Sequence, residues 1–123
     1  MEPEVDLVCL GDFNGRLSRL EPNISTDING KMIEEWTTKF DLYHLNVTDE
    51  CKGTYTYNCS TGKSAIDHVL INGHFMNKYK GMYIDEEKTQ LNISDHCLVR
   101  VWFKIGTNNE RTNWKKPKYK EIK

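Results

Sequence analysis

Three short polar segments of this sequence carry residue types that can hydrolyse phosphate esters. They are residues 11–14 (Gly-Asp-Phe-Asn), residues 64–68 (Ser-Ala-Ile-Asp-His) and residues 94–96 (Ser-Asp-His). Each lies beside an apolar run typical of a buried strand, so polar side chains are expected at strand ends. Phosphodiester hydrolysis requires a proton acceptor for water, neutralisation of the charge on phosphorus and stabilisation of the leaving group. Carboxylates, an amide, a histidine and a hard cation supply these functions.

Each of these residues also has a structural explanation when it is considered alone. Asp12 and Asn14 are common turn formers beside glycine. Backbone donors can satisfy a buried carboxylate at Asp67, and Asp95 can cap a turn together with Ser94. The three segments together, in order and each at a strand edge, favour one shared site.

The other three histidines receive no functional role from the sequence. His44 and His68 lie in predicted helix or strand segments, where a lone histidine is usually a packed or exposed side chain. His74 is predicted to lie in a loop.

The order of the three segments resembles the endonuclease/exonuclease/phosphatase superfamily. In that family a GD[FL]N loop, an S-x-[IL]-D strand and a terminal SDH motif follow one another, and all three patterns occur here between residues 5 and 105. Within the superfamily the chain looks most like the endonucleases of non-LTR retrotransposons. The resemblance implies an α/β (α+β-like) fold, half of a four-layer α/β sandwich, with one mostly antiparallel sheet and one main amphipathic helix.

The resemblance also implies roles for individual residues. His96 would be the general base or a phosphate-binding residue, with Asp67 accepting a hydrogen bond from its ring. Asp12 would orient or deprotonate the attacking water, and Asn14 would hold a phosphate oxygen. Asp95 would help to bind Mg²⁺ or Mn²⁺. The choice between Asp12 and His96 as the base is left open.

The chain departs from the family pattern in one respect, because no residue matches the metal-binding glutamate of the family's first half. The expectation is therefore the C-terminal half of a DNA endonuclease with impaired activity. Expected partners are DNA, the missing N-terminal half and a following reverse transcriptase domain. The alternatives are an inactive or nucleic-acid-binding remnant, and a phosphoesterase acting on inositol phosphates or phospholipids. The last is weakened because a Cys-Asp-Arg pattern is lacking around Asp67.

Hydrophobic periodicity predicts the elements that position these segments. An amphipathic helix is expected over residues 31–41, with Asp27 or Asn29 as its cap, and residues 42–47 form either a short strand or the trailing end of the helix. The acidic cluster at residues 85–87 is interpreted as a solvated turn. Strands are predicted over residues 5–10, 54–57, 64–72, 82–84 and 97–105, the last with its odd-numbered residues facing the core.

Composition limits the remaining possibilities. The 123 residues suffice for one domain, predicted over residues 1–105, followed by a basic polar tail or linker over residues 106–123. A formal net charge of −1 gives no overall attraction to nucleic acid, so a nucleic-acid partner needs a local patch. No apolar stretch is long enough to span a membrane, and residues 1–4 do not resemble a signal peptide. An intracellular protein with free thiols is expected, nuclear if it functions on DNA.

Overall fold

The structure is a computed structural model that describes residues 5–106. The predicted tail over residues 106–123 therefore lies, except for Gly106, outside the described residues. Within them the helices are α1 (Ile28–Lys39) and α2 (Gly73–Met76), and a 3₁₀ turn spans Leu45–Val47. The strands are β1 (Val8–Asp12), β2 (Leu42–His44), β3 (Cys51–Lys52), β4 (Tyr57–Cys59), β5 (Gly62–Ser64), β6 (Asp67–Asn72), β7 (Tyr79–Ile84) and β8 (Val99–Phe103).

The fold is a small α+β domain with mainly antiparallel sheets and one main helix, which confirms the predicted class. The strands form three sheets rather than the single sheet expected, with orders β1-β6-β2, β3-β7-β8 and β4-β5. The physical reason is that β6 is paired on both edges, by β1 and by β2. No further strand can pair with β6, and β3, β7 and β8 form a second sheet that packs on the first.

The apolar core lies on both faces of β6. On one face Val69 and Ile71 pack with Met82 and Ile84 of β7, so this cluster joins the two larger sheets. On the other face Leu70 packs with Leu17, from the loop before α1, and with Ile33 of α1. Burial on both faces explains why the sequence of β6 is nearly continuously apolar.

The main helix begins three residues before its predicted start. Asp27 caps it by accepting a hydrogen bond from the Gly30 N–H at 2.7 Å, which confirms one of the two predicted caps. Ile33 is buried and Trp36 is half-buried, whereas Met32, expected on the same face, is exposed. The buried stripe of the helix is therefore narrower than the spacing of apolar residues predicted.

Several strand boundaries differ from the prediction. The predicted strand over residues 64–72 breaks at residues 65–66, which separate β5 from β6. Residues 42–47 contain both a short strand and a 3₁₀ turn. The last strand alternates as predicted over residues 99–103, but Ile105 is exposed.

The interpretation of residues 85–87 as a solvated turn is wrong for Asp85, which is only 1% exposed. Its carboxylate accepts hydrogen bonds from the Thr89 N–H at 3.1 Å, the Thr89 hydroxyl at 2.9 Å and the Gln90 N–H at 2.8 Å. Glu86 accepts from the backbone N–H groups of Thr54 and Tyr55. Backbone donors, rather than apolar neighbours, make this burial tolerable.

A search of residues 5–106 finds no helix with the length and apolar character needed to cross a membrane.

The outer edge of β1 has no strand partner among residues 5–106, and it is flanked by exposed apolar side chains. Leu10 is 66% exposed, and Val8 is 41% exposed. An apolar edge strand is a template for association with another chain. We expect the purified chain to self-associate as its concentration rises, and Leu10→Lys to weaken that association in sedimentation velocity.

Ile28→Lys is the matched control, because Ile28 is 77% exposed on α1, away from the β1 edge. It removes a similar apolar surface and should leave the association unchanged. A wild-type monomer over the whole concentration range would contradict the expectation.

Candidate active site

The antiparallel pairing of β1 with β6 sets the first feature of the site. Its register makes Asp12, the last residue of β1, the direct partner of Asp67, the first residue of β6. Two carboxylates directly opposite one another repel, so this arrangement requires a compensating cation or proton nearby. The side chain of Asp12 is 46% exposed and that of Asp67 is 19% exposed.

The ring of His96 lies between the two carboxylates. Its Nδ1 lies 2.9 Å from Oδ2 of Asp67, and its Nε2 lies 3.8 Å from Oδ2 of Asp12. An ionised carboxylate only accepts, so Nδ1–H donates to Asp67 and Nε2 faces Asp12. The hydrogen bond that His96 donates to Asp67 is the largest cause of the raised pKa of His96. Burial opposes it, and the charges of Asp67, Asp12 and Asp95 add to the increase.

The loop that carries His96 is held by β4 rather than by β8. The Cys97 N–H donates to the carbonyl of Thr56 at 2.7 Å, and the Asn58 N–H donates to the carbonyl of Asp95 at 2.8 Å. The edge of the His96 ring also meets Tyr57, with ring centroids 5.3 Å apart. Pairing with a strand from the middle of the chain therefore brings His96 to the two aspartates.

Thr56 connects the two sides of the site, and the sequence carried no signal for it beyond a β-branched residue in a strand-like run. Its side chain is completely buried. Its hydroxyl oxygen accepts hydrogen bonds from the N–H groups of Ile66 at 3.0 Å and Asp67 at 2.9 Å. Since its own carbonyl binds Cys97, Thr56 fixes the spacing between Asp67 and the His96 loop.

The loop after β1 has the geometry of a tight turn. Asn14 has a left-handed backbone with φ of 48°, and its N–H donates to Oδ1 of Asp12 at 2.8 Å. The turn-forming explanation for these two residues therefore applies to their backbone. Asn14 is exposed, and its predicted role in holding a phosphate oxygen stays a prediction.

A buried ion pair ties this loop to the start of β6. Glu21, only 4% exposed, accepts from Nη2 of Arg16 at 2.6 Å and from Nε at 3.1 Å. The same carboxylate accepts from the Ala65 N–H at 3.2 Å. The hydrogen bond to Glu21 raises the pKa of Arg16, and the hydrogen bonds of the Glu21 carboxylate to Arg16 and Ala65 hold the two segments together.

His44 and His68, to which the sequence assigned no role, form a buried pair beneath the same loop. Nε2 of His44 lies 2.9 Å from Nδ1 of His68, and Nε2 of His68 lies 2.7 Å from the carbonyl oxygen of Gly15. Burial lowers the pKa of His44 to about 3, with repulsion from His68 and Arg19 contributing. Burial also lowers the pKa of His68. Both rings are therefore neutral at physiological pH.

Asp95, the predicted metal ligand, lies apart from the cluster. The ligand atoms of Asp12, Asp67 and His96 lie within 4.8 Å of one another, and within residues 5–106 Asp95 does not belong to this group. Its exposed carboxylate accepts from the Tyr57 hydroxyl at 3.5 Å instead. Its predicted metal role stays a prediction, and Asp12, Asp67 and His96 have the better geometry for that role.

A cleft of about 310 Å³ opens over the cluster. Its floor carries Asp12, Asp67 and His96, and one wall is apolar, formed by Leu10, Val69 and Val99. Two carboxylate oxygens and an imidazole nitrogen are a suitable donor set for a divalent cation, and the nitrogen suits Mn²⁺ better than Mg²⁺. The arrangement can therefore hold a cation, bind an anionic oxygen and move a proton within one cleft.

Comparisons of the chain with protein-family models, with curated proteins and with solved structures found no match.

Replacing Thr56 by Val should destabilise the protein, because the hydroxyl is lost while the side-chain shape is kept. The N–H groups of Ile66 and Asp67 would then lose their acceptor. Each unsatisfied buried donor costs about 1–3 kcal/mol, so we expect the free energy of unfolding to fall by roughly 2 kcal/mol or more in urea denaturation. Thr56→Ser keeps the hydroxyl and should retain most of the stability. Equal losses in both variants would show that packing, not hydrogen bonding, makes Thr56 important.

The pKa of His44 predicts a pH dependence of stability. A histidine whose folded pKa is lowered binds its proton more readily in the unfolded chain, so protonation favours unfolding. We expect stability to decrease as the pH falls from 6.5 towards 3, by up to about 1.4 kcal/mol per pH unit for this one proton. Urea denaturation of the wild type and of His44→Gln should show a flatter dependence in the variant. Identical slopes would contradict the prediction.

Proposed function

We propose that this chain provides the residues of a divalent-metal-dependent phosphodiesterase site that cuts DNA, as in the endonuclease/exonuclease/phosphatase superfamily. The observation that carries the proposal is the meeting of Asp12, Asp67 and His96, which come from distant parts of the chain, around one cleft. These are the residues for which the motif resemblance implied a joint role. The resemblance to non-LTR retrotransposon endonucleases is the basis for DNA as the substrate.

Asp67 and His96 act as a pair in this proposal. Asp67 accepts from Nδ1–H, which fixes the ring orientation and leaves Nε2 directed towards Asp12 and the cleft. Because the pKa of His96 is raised, its protonated form is more populated than in a free histidine, and an imidazolium suits a negatively charged phosphate oxygen. The pair therefore binds and orients the phosphate.

Asp12 is then the group that accepts the proton of the attacking water. Its Oδ2 lies 3.8 Å from Nε2 of His96, which leaves room for an oxygen atom in hydrogen-bond contact with both. Its Oδ1 accepts from the Asn14 N–H, so the carboxylate is held in place. We propose that the exposed side chain of Asn14 contacts a second phosphate oxygen.

The carboxylates of Asp12 and Asp67 would hold the divalent cation, which when bound neutralises phosphate charge, while the protonated ring of His96 binds the phosphate beside it. The resemblance implies a further glutamate ligand that no residue of this chain matches. We therefore expect the isolated chain to bind metal weakly and to hydrolyse DNA slowly, with greater activity when a polypeptide carrying that glutamate is supplied.

The activity is tested by incubating the purified chain with supercoiled plasmid and Mn²⁺ or Mg²⁺ and by following the nicked form. We expect slow metal-dependent nicking that falls on the order of 10²-fold or more in His96→Ala, because positioned acid–base groups contribute at least that much. His74→Ala is the matched control, since His74 pairs with Asp6 rather than with the cluster.

Metal binding provides a second readout that does not depend on turnover. Paramagnetic Mn²⁺ should broaden the NMR signals of Asp12, Asp67 and His96 before those of Asp95. The absence of both nicking and site-specific broadening would contradict the proposed function. Nicking of equal rate in the wild type and His96→Ala would show that another enzyme in the preparation cuts the plasmid.

A further inference from the structure

The side chain of His68 lies directly behind the candidate site, next in sequence to Asp67. Successive residues of a strand point to opposite faces of a sheet, so Asp67 faces the cleft while His68 faces the core beneath α1. His68 is completely buried there, and its ring lies against Phe13, with centroids 6.0 Å apart. A histidine in this position could be replaced sterically by an apolar aromatic residue, so its two hydrogen bonds need a separate explanation.

Those two hydrogen bonds fix the tautomers of both buried histidines. The Gly15 carbonyl can only accept, so Nε2 of His68, 2.7 Å away, carries a hydrogen. In the neutral ring Nδ1 is then an acceptor, and the hydrogen of the 2.9 Å contact must come from Nε2 of His44. Hydrogen bonds therefore run in one direction, from His44 to His68 and from His68 to Gly15.

Gly15 anchors the far end of the loop that carries Asp12 and Asn14. It is seated tightly on the first turn of α1, since a Cβ there would come within 2.9 Å of both the Asn29 carbonyl carbon and Ile33 Cδ1. The Asn14 carbonyl accepts from the side chain of Asn29 at 3.1 Å. Contact with α1 fixes the loop on one side. His68 is the side chain of β6 that binds it on the other, beside the Phe13 N–H bond to the carbonyl of Ile66, which precedes β6.

We propose that His68 is a positioning residue that sets the distance between the Asp12–Asn14 loop and Asp67, and that His44 sets the tautomer His68 needs. Loss of the His68–Gly15 hydrogen bond lets the loop move away from β6 while the strand keeps its place. Asp12 then leaves the position from which it faces His96. The catalytic consequence rests on the proposed function, whereas the tautomers and the loop contacts do not.

The spectroscopic test uses the whole chain and needs no activity. Nitrogen NMR of the imidazole rings at neutral pH should show both His44 and His68 as neutral Nε2–H tautomers. Hydrogen exchange of the Phe13 and Asn14 amides, which donate to Ile66 and Asp12, should accelerate in His68→Phe. The Leu70 amide, in the middle of β6, should stay protected and report that the variant is folded. A charged or Nδ1–H form of His68, or unchanged exchange at Phe13 and Asn14 in folded His68→Phe, would overturn the proposal.

The kinetic test separates positioning from general destabilisation. Plasmid nicking by His68→Phe should show kcat lowered on the order of 10²-fold with KM little changed, because a displacement of about 1 Å acts on the transition state. His44→Gln should keep kcat close to wild type, because the glutamine amide can donate to Nδ1 of His68. His44→Phe should lower kcat, because phenylalanine has no donor for that nitrogen. Ile71→Val destabilises the opposite core face and should leave kcat per folded molecule unchanged.

The outcomes distinguish the two proposals. An inactive wild type with the expected tautomers and exchange pattern would count against the phosphodiesterase and leave the positioning role supported. An active wild type in which His68→Phe and Ile71→Val behave alike would count against the positioning role alone.

Discussion

The repulsion between two carboxylates placed opposite each other by β1 and β6 is the constraint around which this molecule is organised. The strand register places Asp12 directly opposite Asp67, where two like charges repel each other. The structure supplies an imidazole between them, delivered by a loop from the far end of the described chain. The repulsion between two carboxylates in one sheet thus explains why residues 94–96 must lie against the segments that carry Asp12 and Asp67.

Buried polar groups, more than the apolar core, hold that arrangement together. Thr56, Glu21 and His68 each have almost no exposed surface, and each accepts from or donates to the backbone of a segment next to a site residue. Hydrogen bonds of this kind specify distance and direction, whereas apolar contacts tolerate sliding. The apolar clusters stabilise the sheets, and the polar groups set the geometry of the cleft within them.

The sequence predicted those features that depend on local pattern. The buried strand β6, the Asp27 cap and the placement of Asp12 and Asp67 at strand ends follow from periodicity and turn chemistry within a few residues. The prediction of a buried strand over residues 5–10 is wrong, because β1 is an edge strand whose Val8 and Leu10 are exposed. The division into three sheets depends on partners far along the chain, as does the pairing of His44 with His68. The burial of Asp85 has local partners, Thr89 and Gln90, but an acidic run in the sequence does not show that its first carboxylate folds back onto them. The motif order predicted that Asp12, Asp67 and His96 lie together, as they do in the structure. The metal role of Asp95 stays a prediction, and adjacency to His96 in sequence does not set the direction of its carboxylate.

The position of β6, paired on both edges and covered on both faces, gives the three acidic and basic groups of the cleft unequal freedom. Asp67 stands on a strand that is paired on both edges, whereas Asp12 belongs to an edge strand and His96 follows an exposed stretch that includes Ile93, 84% exposed. A ligand entering the cleft therefore meets Asp67 on a fixed backbone, and Asp12 and His96 on less constrained backbones. Ligands of different size are therefore accommodated by movement of Asp12 and His96, while Asp67 keeps its position.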